Sequence, residues 1–314
     1  MSQPRAGTTD NAVVPARFDW HDAGMSPGPA GILFVDKPVG PSSRDVLDDL
    51  ERRLGFGALG HAGTLDPRAS GLLVVLVGVA RRLQDVFMAT RKEYTFDLTL
   101  GARSETHDGE GPIVQSGTPV PGTDELDLEG LLGEFEGEID QVPPAHSAVH
   151  VGGRRAYELA RRGEAPSLPP RRVLIERIEL LSRKAEVVSL RVTCGKGTYI
   201  RSLARDLGER IGCGGYVSAL RRTASGEVRV EQATPAAELV REDIRDLTAA
   251  LGGFVRVDVD ADQARRLANG QALSALDPPQ SLAFAWFDGR PLCRLKASSR
   301  GGARSDLLLE RPES

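Results

Sequence analysis

The strongest constraint on the fold is an uninterrupted run of apolar and glycine residues between positions 71 and 80. A run of this length is about half of what a helix needs to span a membrane. Short apolar runs next to turn residues are typical of buried strands. The run therefore predicts a strand inside a globular protein, directly after a glycine-rich turn at residues 60–70.

Hydrophobic periodicity elsewhere predicts both strands and helices, which places the chain in the α+β class. The predicted strands cover residues 31–35, 93–100, 173–181, 187–192, 282–286 and 292–295. The predicted helices cover 44–54, a short piece at 131–135, a basic helix at 153–162, and residues 200–211 and 262–267. Ser42 or Ser43 can cap the first helix, Gly55 and Gly212 end two of them, and Asp288-Gly289 predicts a hairpin turn.

The 314 residues suffice for a catalytic core and a small second domain. We predict a disordered tail at 1–29, a catalytic domain at 30–250 and a β-rich domain at 251–314. The tail lacks the apolar stretch of a signal peptide. Three scattered cysteines, Cys194, Cys213 and Cys293, favour neither disulfides nor a zinc site. We expect a cytoplasmic protein without a membrane association.

The net charge of −4 conceals an uneven distribution along the chain. Residues 141–230 contain 17 Lys and Arg against 8 Asp and Glu, whereas residues 101–140 contain one Arg against 11 acids. A basic block can attract a polyanion locally even in an acidic protein, because salt screens charges over about 10 Å. A solvated surface of mixed charge is the other explanation of this pattern.

The segment Gly-His-Ala-Gly-Thr-Leu-Asp-Pro at residues 60–67 places Asp66 before a rigid proline, after His61 and two glycines. A carboxylate held in this way can attack an electrophile or accept a proton. Asp66 could instead cap a helix that starts at Pro67, since Asp and Pro favour these two positions. Both functions are compatible, because a helix start would also fix the direction of the carboxylate.

A second informative segment, residues 194–201, combines a glycine-rich turn, Lys196 and Arg201 at the start of a helix. Helix N-termini and basic side chains favour anions, which could be a phosphate or the Asp66 carboxylate. Two other glycine patterns lack the required context. The one at 55–60 follows a helix instead of a strand, and the one at 195–198 lacks the upstream glycine of a phosphate loop.

From residue 31 to residue 229 these segments occur in the order found in the TruB family of tRNA pseudouridine synthases, which the chain closely resembles. The matches include Asp36-Lys37-Pro38, the Asp66 segment, Tyr94, residues 141–161, residues 196–201 and Leu220-Arg221-Arg222. The resemblance implies a pseudouridine synthase fold with a central, mostly antiparallel sheet and a small PUA-like RNA-binding domain at the C-terminus. It also implies isomerisation of uridine 55 in the T-loop of tRNA.

The resemblance also implies roles for individual residues. Asp66 matches the catalytic aspartate and Arg201 its partner. His61 matches a residue inserted into the RNA loop, and Tyr94 a ring that stacks on the target base. The other expected substrate contacts are Asp108, Tyr199 and Leu220, and the expected RNA backbone contacts are Lys37, Arg154, Arg155 and Lys196.

The chain departs from the family pattern at several basic positions. His150 and Ala58 stand where relatives often have Lys, Gly152 replaces a polar residue, and Arg44 replaces a common His. These changes bear on affinity for RNA more than on the chemistry. The resemblance implies a monomer that needs no cofactor, metal or obligate protein partner and binds the T-arm of tRNA. An RNA-binding folding helper and a guide-RNA-dependent, dyskerin-type synthase are the alternatives.

Overall fold

The computed structural model describes residues 31–309 except 56, 58, 123–125, 148, 152, 161, 165–167, 278 and 300. The predicted tail at 1–29 therefore lies outside the described residues. The helices are α1 (Ser43–Leu54), α2 (Gln84–Ala89), α3 (Leu128–Gly133), α4 (Ala156–Ala160), α5 (Ile200–Ile211), α6 (Thr248–Leu251) and α7 (Ala261–Ala268).

Among the described residues, eight strands have two to four residues and ten have five or more. In chain order they are β1 (Gly31–Lys37), β2 (Leu59–His61), β3 (Ala69–Val77), β4 (Lys92–Leu100), β5 (Ala102–Ser104), β6 (Ile113–Gln115), β7 (Gly137–Gln141), β8 (His150–Val151), β9 (Arg154–Arg155), β10 (Arg171–Lys184), β11 (Val187–Cys194), β12 (Gly215–Ser225), β13 (Val228–Arg229), β14 (Thr234–Pro235), β15 (Val255–Asp258), β16 (Ala283–Phe287), β17 (Arg290–Ala297) and β18 (Ala303–Leu308).

A ten-stranded sheet forms the centre of the molecule, with the order β14-β1-β3-β12-β4-β11-β10-β7 and with β2 and β13 attached to β3 and β12. Among the described strand pairs of this sheet, only β1–β14 and β3–β12 are parallel. The predicted α+β class with a mostly antiparallel sheet is therefore confirmed. The apolar run forms β3, whose residues from Gly71 to Val77 are all buried.

Helix α1 shows how the local sequence sets an element. The side chain of Ser42 accepts a hydrogen bond from the Asp45 amide, and the Asp45 carboxylate accepts from the Ser42 amide. This reciprocal pair satisfies two amides that the helix leaves free at its start. Gly55 ends the helix at φ 65°, a conformation that glycine adopts without strain. The predicted apolar stripe, Val46, Leu47, Leu50 and Leu54, is buried on β1 and β3.

A central strand of the main sheet, β12, comes from late in the sequence. Strand β12 lies between β3 and β4, with Leu220 beside Ala69 on one side and Phe96 on the other. Our sequence analysis assigned no strand there. Helix α5, predicted at 200–211, packs through Leu203 and Leu207 into the core beneath β4 and β11.

The C-terminal part has a sheet of its own, in the order β15-β16-β17-β18. The predicted hairpin turn joins β16 to β17, with Asp288 and Gly289 both at positive φ as a type I′ turn requires. Phe284 and Trp286 belong to the same apolar cluster as Phe34 of β1. The small sheet thus packs against the main sheet, which confirms a β-rich C-terminal region.

One predicted helix is wrong in part. The basic segment 153–162 contains the short strand β9 followed by the short helix α4, because β9 pairs with β8 before the chain turns into the helix. Arg154 and Arg155 therefore lie on a strand.

We expect Leu50→Ala to lower the free energy of unfolding by about 2–5 kcal/mol, because Leu50 is fully buried between α1 and the sheet. Urea denaturation followed by circular dichroism measures this change. Arg52→Ala, on the exposed side of the same helix, is the matched control and should change stability by less than about 0.5 kcal/mol. Equal effects of the two variants would contradict the placement of α1.

Candidate active site at the Asp66 turn

Asp66 lies in a turn that leads into β3, so the predicted helix start is wrong. The amide of Ala69 donates to the Asp66 carbonyl over 3.0 Å, and β3 begins at Ala69. The pairing of β3 with β12 takes the chain into the sheet at the point where a helix would otherwise continue. The start of strand β3, and not a helix N-terminus, therefore sets the direction of the Asp66 carboxylate.

Two contacts fix the turn against the start of α1. The Ser43 hydroxyl donates to the Leu65 carbonyl over 3.0 Å and accepts from the Leu65 amide over 2.8 Å. The Gly40 amide donates to the Pro67 carbonyl over 2.8 Å. The residues on both sides of Asp66 are thus bonded to the segment before and at the beginning of α1.

Arg201 is the central cation of the site. Its side chain is 6% exposed, and its Nε lies 2.9 Å from Asp66 Oδ2, whose side chain is 35% exposed. Its Nη1 donates to the carbonyl of Thr106 over 3.1 Å, and its Nη2 to the carbonyl of His146 over 2.8 Å. A buried guanidinium needs such partners to offset its lost hydration. The geometry fixes Arg201 and, through it, one oxygen of Asp66.

The beginning of α5 is also bonded to the loop that carries His146. The Gln141 Oε1 accepts from the Tyr199 amide over 2.8 Å, and the Ser202 hydroxyl donates to the Val142 carbonyl over 2.8 Å. These bonds satisfy polar groups at the helix start that would otherwise be unpaired. They also orient the first turn of α5, from which Arg201 projects.

Asp108 is the second acid at Arg201. Its side chain is 4% exposed, and its Oδ2 lies 3.6 Å from Arg201 Nη1. Its Oδ1 accepts from the Thr106 hydroxyl over 2.6 Å and from the Glu110 amide over 2.9 Å. The preceding His107 has φ 61°, a conformation uncommon outside glycine. Asp108 thus contacts Arg201 from a tightly bonded turn.

Burial raises the pKa of the Asp66 carboxyl above its ordinary value, while the Arg201 charge acts in the opposite direction and the Asp108 charge adds to the increase. Burial also lowers the pKa of His107 to about 4, assisted by the charges of Arg205 and Arg201. His107 is therefore neutral near pH 7. The site holds two carboxyl groups beside one buried guanidinium. The pKa of Asp66 therefore depends on the charges close to it.

A cleft of about 230 Å³, measured with the space at its mouth, opens above these residues. Its lining includes Asp66, Asp108, Arg201, Leu220 and Arg68. Tyr94 and Leu220 contact both the apolar cluster beneath α1 and the one beneath α5. Burial raises the pKa of the Tyr94 hydroxyl, which is therefore un-ionised at neutral pH. Tyr94 and Leu220 therefore lie between the apolar core on the α1 side of the sheet and the one on the α5 side.

The remaining predicted substrate contacts lie around this centre. His61 is partly buried on β2, and burial, with the charges of Arg222 and Arg44, lowers the pKa of its ring. Its Nδ1 has no hydrogen-bond partner in the described part of the chain. Tyr199 precedes α5 and packs on Val149 and Leu168, and burial raises the pKa of its hydroxyl.

The structure corrects the expected role of Lys37. Its side chain is 0% exposed, and its ammonium donates to the carbonyls of Pro38 over 2.8 Å and Pro41 over 2.7 Å. Burial lowers the pKa of Lys37 to about 8, although the charge of Asp66 opposes this. Lys37 thus stabilises the loop before α1 and does not face a phosphate. Lys196 and Arg154 are exposed, whereas the side chain of Arg155 lies outside the described part.

Sequence reasoning missed several residues that shape the site. Arg68 follows the motif proline and is exposed at the cleft. Ser43 and Gln141 act through hydrogen bonds to backbone groups, and Arg222 acts in the same way from β12. A charged residue next to the catalytic motif was a usable signal for Arg68, but no local pattern marks a side chain that bonds a distant carbonyl.

Within the described ranges, no cluster of three or more His, Cys, Asp or Glu side chains is arranged to hold a metal ion. The three cysteines are free and buried. Among the same residues, no helix combines the length and the apolar character that crossing a membrane requires.

The comparison with known proteins decides the family. Residues 51–200 match a family described as "TruB family pseudouridylate synthase (N terminal domain)", and residues 201–251 match "tRNA pseudouridylate synthase B C-terminal domain". The chain is 38% identical over 279 residues to tRNA pseudouridine synthase B of Mycobacterium bovis, covering 87% of this chain and 93% of that protein. It is 39% identical to the protein of the same name from Xanthomonas euvesicatoria, covering 83% and 88%.

The chain belongs to the TruB family of tRNA pseudouridine synthases. Solved structures show the same fold at lower sequence identity. An H/ACA ribonucleoprotein bound to a substrate RNA containing 2′-deoxyuridine matches with a TM-score of 0.69 and 23% identity, covering 90% of this chain and 86% of the other. An archaeal box H/ACA complex gives a TM-score of 0.68 and 23% identity, covering 90% and 88%. This TruB-family chain therefore shares its fold with the matching chains of those complexes.

We expect Arg201→Met to raise the pKa of the Asp66 carboxyl, because the variant removes the positive charge that favours the ionised form. The ¹³C shift of the labelled carboxyl group, followed against pH, measures this change, and Asp66→Asn identifies the signal by its absence. Arg201→Lys keeps the charge and should show a smaller increase. A pKa that is the same in wild type and Arg201→Met would contradict the importance of this ion pair.

Proposed function

We propose that this TruB-family enzyme isomerises uridine 55 in the T-loop of tRNA to pseudouridine. One observation carries the proposal: Asp66, bonded to the buried Arg201, lines a cleft together with Leu220 in a chain that belongs to this family. The site thus combines a fixed carboxylate with an apolar wall, which suits a nucleobase.

The isomerisation breaks the bond between N1 of uracil and C1′ of the ribose and forms one between C5 and C1′. N1 gains a proton and C5 loses one, so that the composition of the nucleoside is unchanged. No net oxidation or reduction occurs, and we propose that the enzyme uses no cofactor. The target base must leave the stack of the folded RNA, because its reacting atoms are inaccessible there.

Asp66 is the proposed catalytic residue. Arg201 binds one of its oxygens, so the other remains available to the substrate. Two roles fit this geometry: attack on the sugar or the base, and removal of a ribose proton. The raised pKa of Asp66 makes the carboxylate more basic than an exposed one, which helps in both roles.

We assign the surrounding residues to binding of the everted uridine. The ring of Tyr94 stacks on uracil, and Leu220 and Asp108, which line the cleft beside Arg201, contact the substrate. Tyr199, which precedes α5, is a further proposed substrate contact. His61 enters the space that the base leaves in the RNA. A neutral ring suits insertion between bases, and the lowered pKa of His61 keeps it neutral at pH 7.

The rest of the tRNA is bound through phosphate contacts. Lys196, Arg154 and Arg155 are the proposed backbone contacts, and the β-rich region from residue 251 is the proposed PUA-like RNA-binding domain. We add Arg68, an exposed guanidinium at the mouth of the cleft that holds Asp66. A nucleotide whose base enters the cleft leaves its phosphate at the mouth, within reach of such a side chain. The enzyme acts on the T-arm in the cytoplasm, as a monomer without an obligate protein partner.

We expect Asp66→Asn to abolish pseudouridine formation and to leave the affinity for tRNA within a factor of about three, because the variant removes a reacting group and keeps its size. Tritium release from 5-³H-uridine in a tRNA transcript, with the purified chain as the only protein, measures turnover. Filter binding measures affinity.

The same assay separates the proposal from its alternatives. Turnover by Asp66→Asn would exclude Asp66 as the catalytic residue, and wild-type inactivity on the bare transcript would favour a guide-RNA-dependent enzyme. Equal rescue of misfolded tRNA by wild type and Asp66→Asn, without wild-type turnover, would favour a folding helper.

We expect Arg68→Gln to reduce by about one the slope of log affinity for tRNA against log salt concentration, since one phosphate contact is lost. Arg68→Lys should keep most of the slope. Arg52→Gln removes an equally exposed guanidinium on α1 and is the matched control. A slope for Arg68→Gln equal to that of the control would show that Arg68 does not bind a phosphate.

A further inference from the structure

Arg222 heads the set of large, fully buried side chains in the described part of the protein, with 1% of its surface exposed. It lies on β12, directly opposite Tyr94 on β4 and Gly71 on β3. Burying a guanidinium is costly unless its N–H groups find acceptors. The position of those acceptors therefore indicates what this residue holds.

Besides a side-chain hydrogen bond with Tyr94, Arg222 has two backbone acceptors, and these lie at the two ends of the segment that carries Asp66. The Nε of Arg222 donates to the Leu72 carbonyl over 2.7 Å, and its Nη2 donates to the Gly63 carbonyl over 3.1 Å. Residues 63–72 comprise most of the connection after β2 and the first four residues of β3. One side chain thus connects the start and the end of the segment whose middle is the catalytic turn.

Two glycines of the motif make room for Arg222. Gly63 has φ +108°, and a Cβ atom there would lie 3.2 Å from Arg222 Nη1. Gly71 has φ +101°, and a Cβ atom there would lie 2.3 Å from the Arg222 carbonyl oxygen. Both conformations favour glycine. The contact at Gly71 is with the backbone of β12 and leaves no room for a side chain, whereas a Cβ at Gly63 would crowd the Arg222 guanidinium.

We propose that Arg222 is a positioning residue that fixes Asp66 relative to Tyr94 by holding both ends of the 63–72 segment. It contacts no reacting atom. Its effect passes through the Gly63 and Leu72 carbonyls to the turn, while its own strand lies in register with Tyr94. The consequence for catalysis rests on the proposed function, whereas the rigidity of the segment can be measured without it.

The closing experiment compares Arg222→Met with Lys92→Met. Lys92 is another buried cation, and its ammonium donates to the carbonyls of Phe87, Met88 and Thr90, outside the Asp66 segment. Both variants lose a charged donor and some stability, so that the control accounts for a merely structural effect. Arg222→Lys, which keeps the charge but lacks the planar set of N–H donors that reaches both carbonyls, is a second and milder test. All measurements are made at a temperature where circular dichroism shows each variant folded.

Two readouts are expected to change in Arg222→Met. Amide hydrogen exchange in residues 63–72 becomes roughly tenfold faster or more, since hydrogen bonds from a charged donor are lost. The single-turnover rate of pseudouridine formation falls about 100-fold with tRNA affinity unchanged, since displacement of a catalytic group by about 1 Å has this effect. Arg222→Lys should show smaller changes of the same kind. Lys92→Met should change exchange near residues 87–92 and leave the rate near that of wild type.

The outcomes separate the inference from the function on which it partly rests. Unchanged exchange in residues 63–72 of Arg222→Met would overturn the inference even if the enzyme acted on another substrate. A rate loss no larger than that of Lys92→Met would also overturn it. Wild-type inactivity on tRNA, together with faster exchange in this segment, would count against the proposed function and support the positioning role of Arg222.

Discussion

The ion pair between Arg201 and Asp66 connects the first turn of α5 with the turn before β3, two parts of the chain that are far apart in sequence. A guanidinium that is 6% exposed has given up most of its hydration, and removing one partner of such a pair typically costs about 3–5 kcal/mol. The carbonyls of Thr106 and His146 complete its hydrogen bonding. Four segments therefore have to assemble around Arg201 before its burial is compensated, and their assembly forms the site.

The site also illustrates why a count of charges overstates the capacity to bind RNA. The basic block at 141–230 carries a surplus of nine positive charges. Many of its arginines are bonded within the protein, as Arg191 is to Glu179, Arg210 to Glu134 and Arg221 to Asp36. Exposed pairs of this kind add little stability, but they do occupy guanidinium groups. The charge available to a phosphate thus depends on which basic residues lack an internal acid.

Much of the fold could be predicted from the sequence, because the elements that carry it have strong periodic signals. The stripe of α1, the apolar run of β3 and the limits of α5 all follow from local patterns. Strand β12 escaped prediction because its polar residues alternate poorly and its place between β3 and β4 is set by pairing. A helix start at Asp66 was an alternative because Asp-Pro favours that start locally, whereas the pairing of β3 with β12 places a strand there.

The sequence also predicted which residues belong to the candidate site. It did not predict the hydrogen bonds and ion pairs that these residues form. The resemblance to TruB led to Asp66 and Arg201, and the distance between them required a structure. Lys37 shows the limit most clearly: its motif position suggested a phosphate, and its burial against two proline carbonyls became visible only in three dimensions. Long-range contacts leave no trace in the local sequence.

The central place of β12 has a consequence for the order in which the molecule assembles. Its neighbours β3 and β4 are synthesised more than a hundred residues earlier, and they remain unpaired along that edge until β12 arrives. Pairings between such distant parts of a chain form slowly. A nascent chain on the ribosome accordingly contains Asp66 early but cannot complete the sheet beside it until residue 225 has emerged from the exit tunnel.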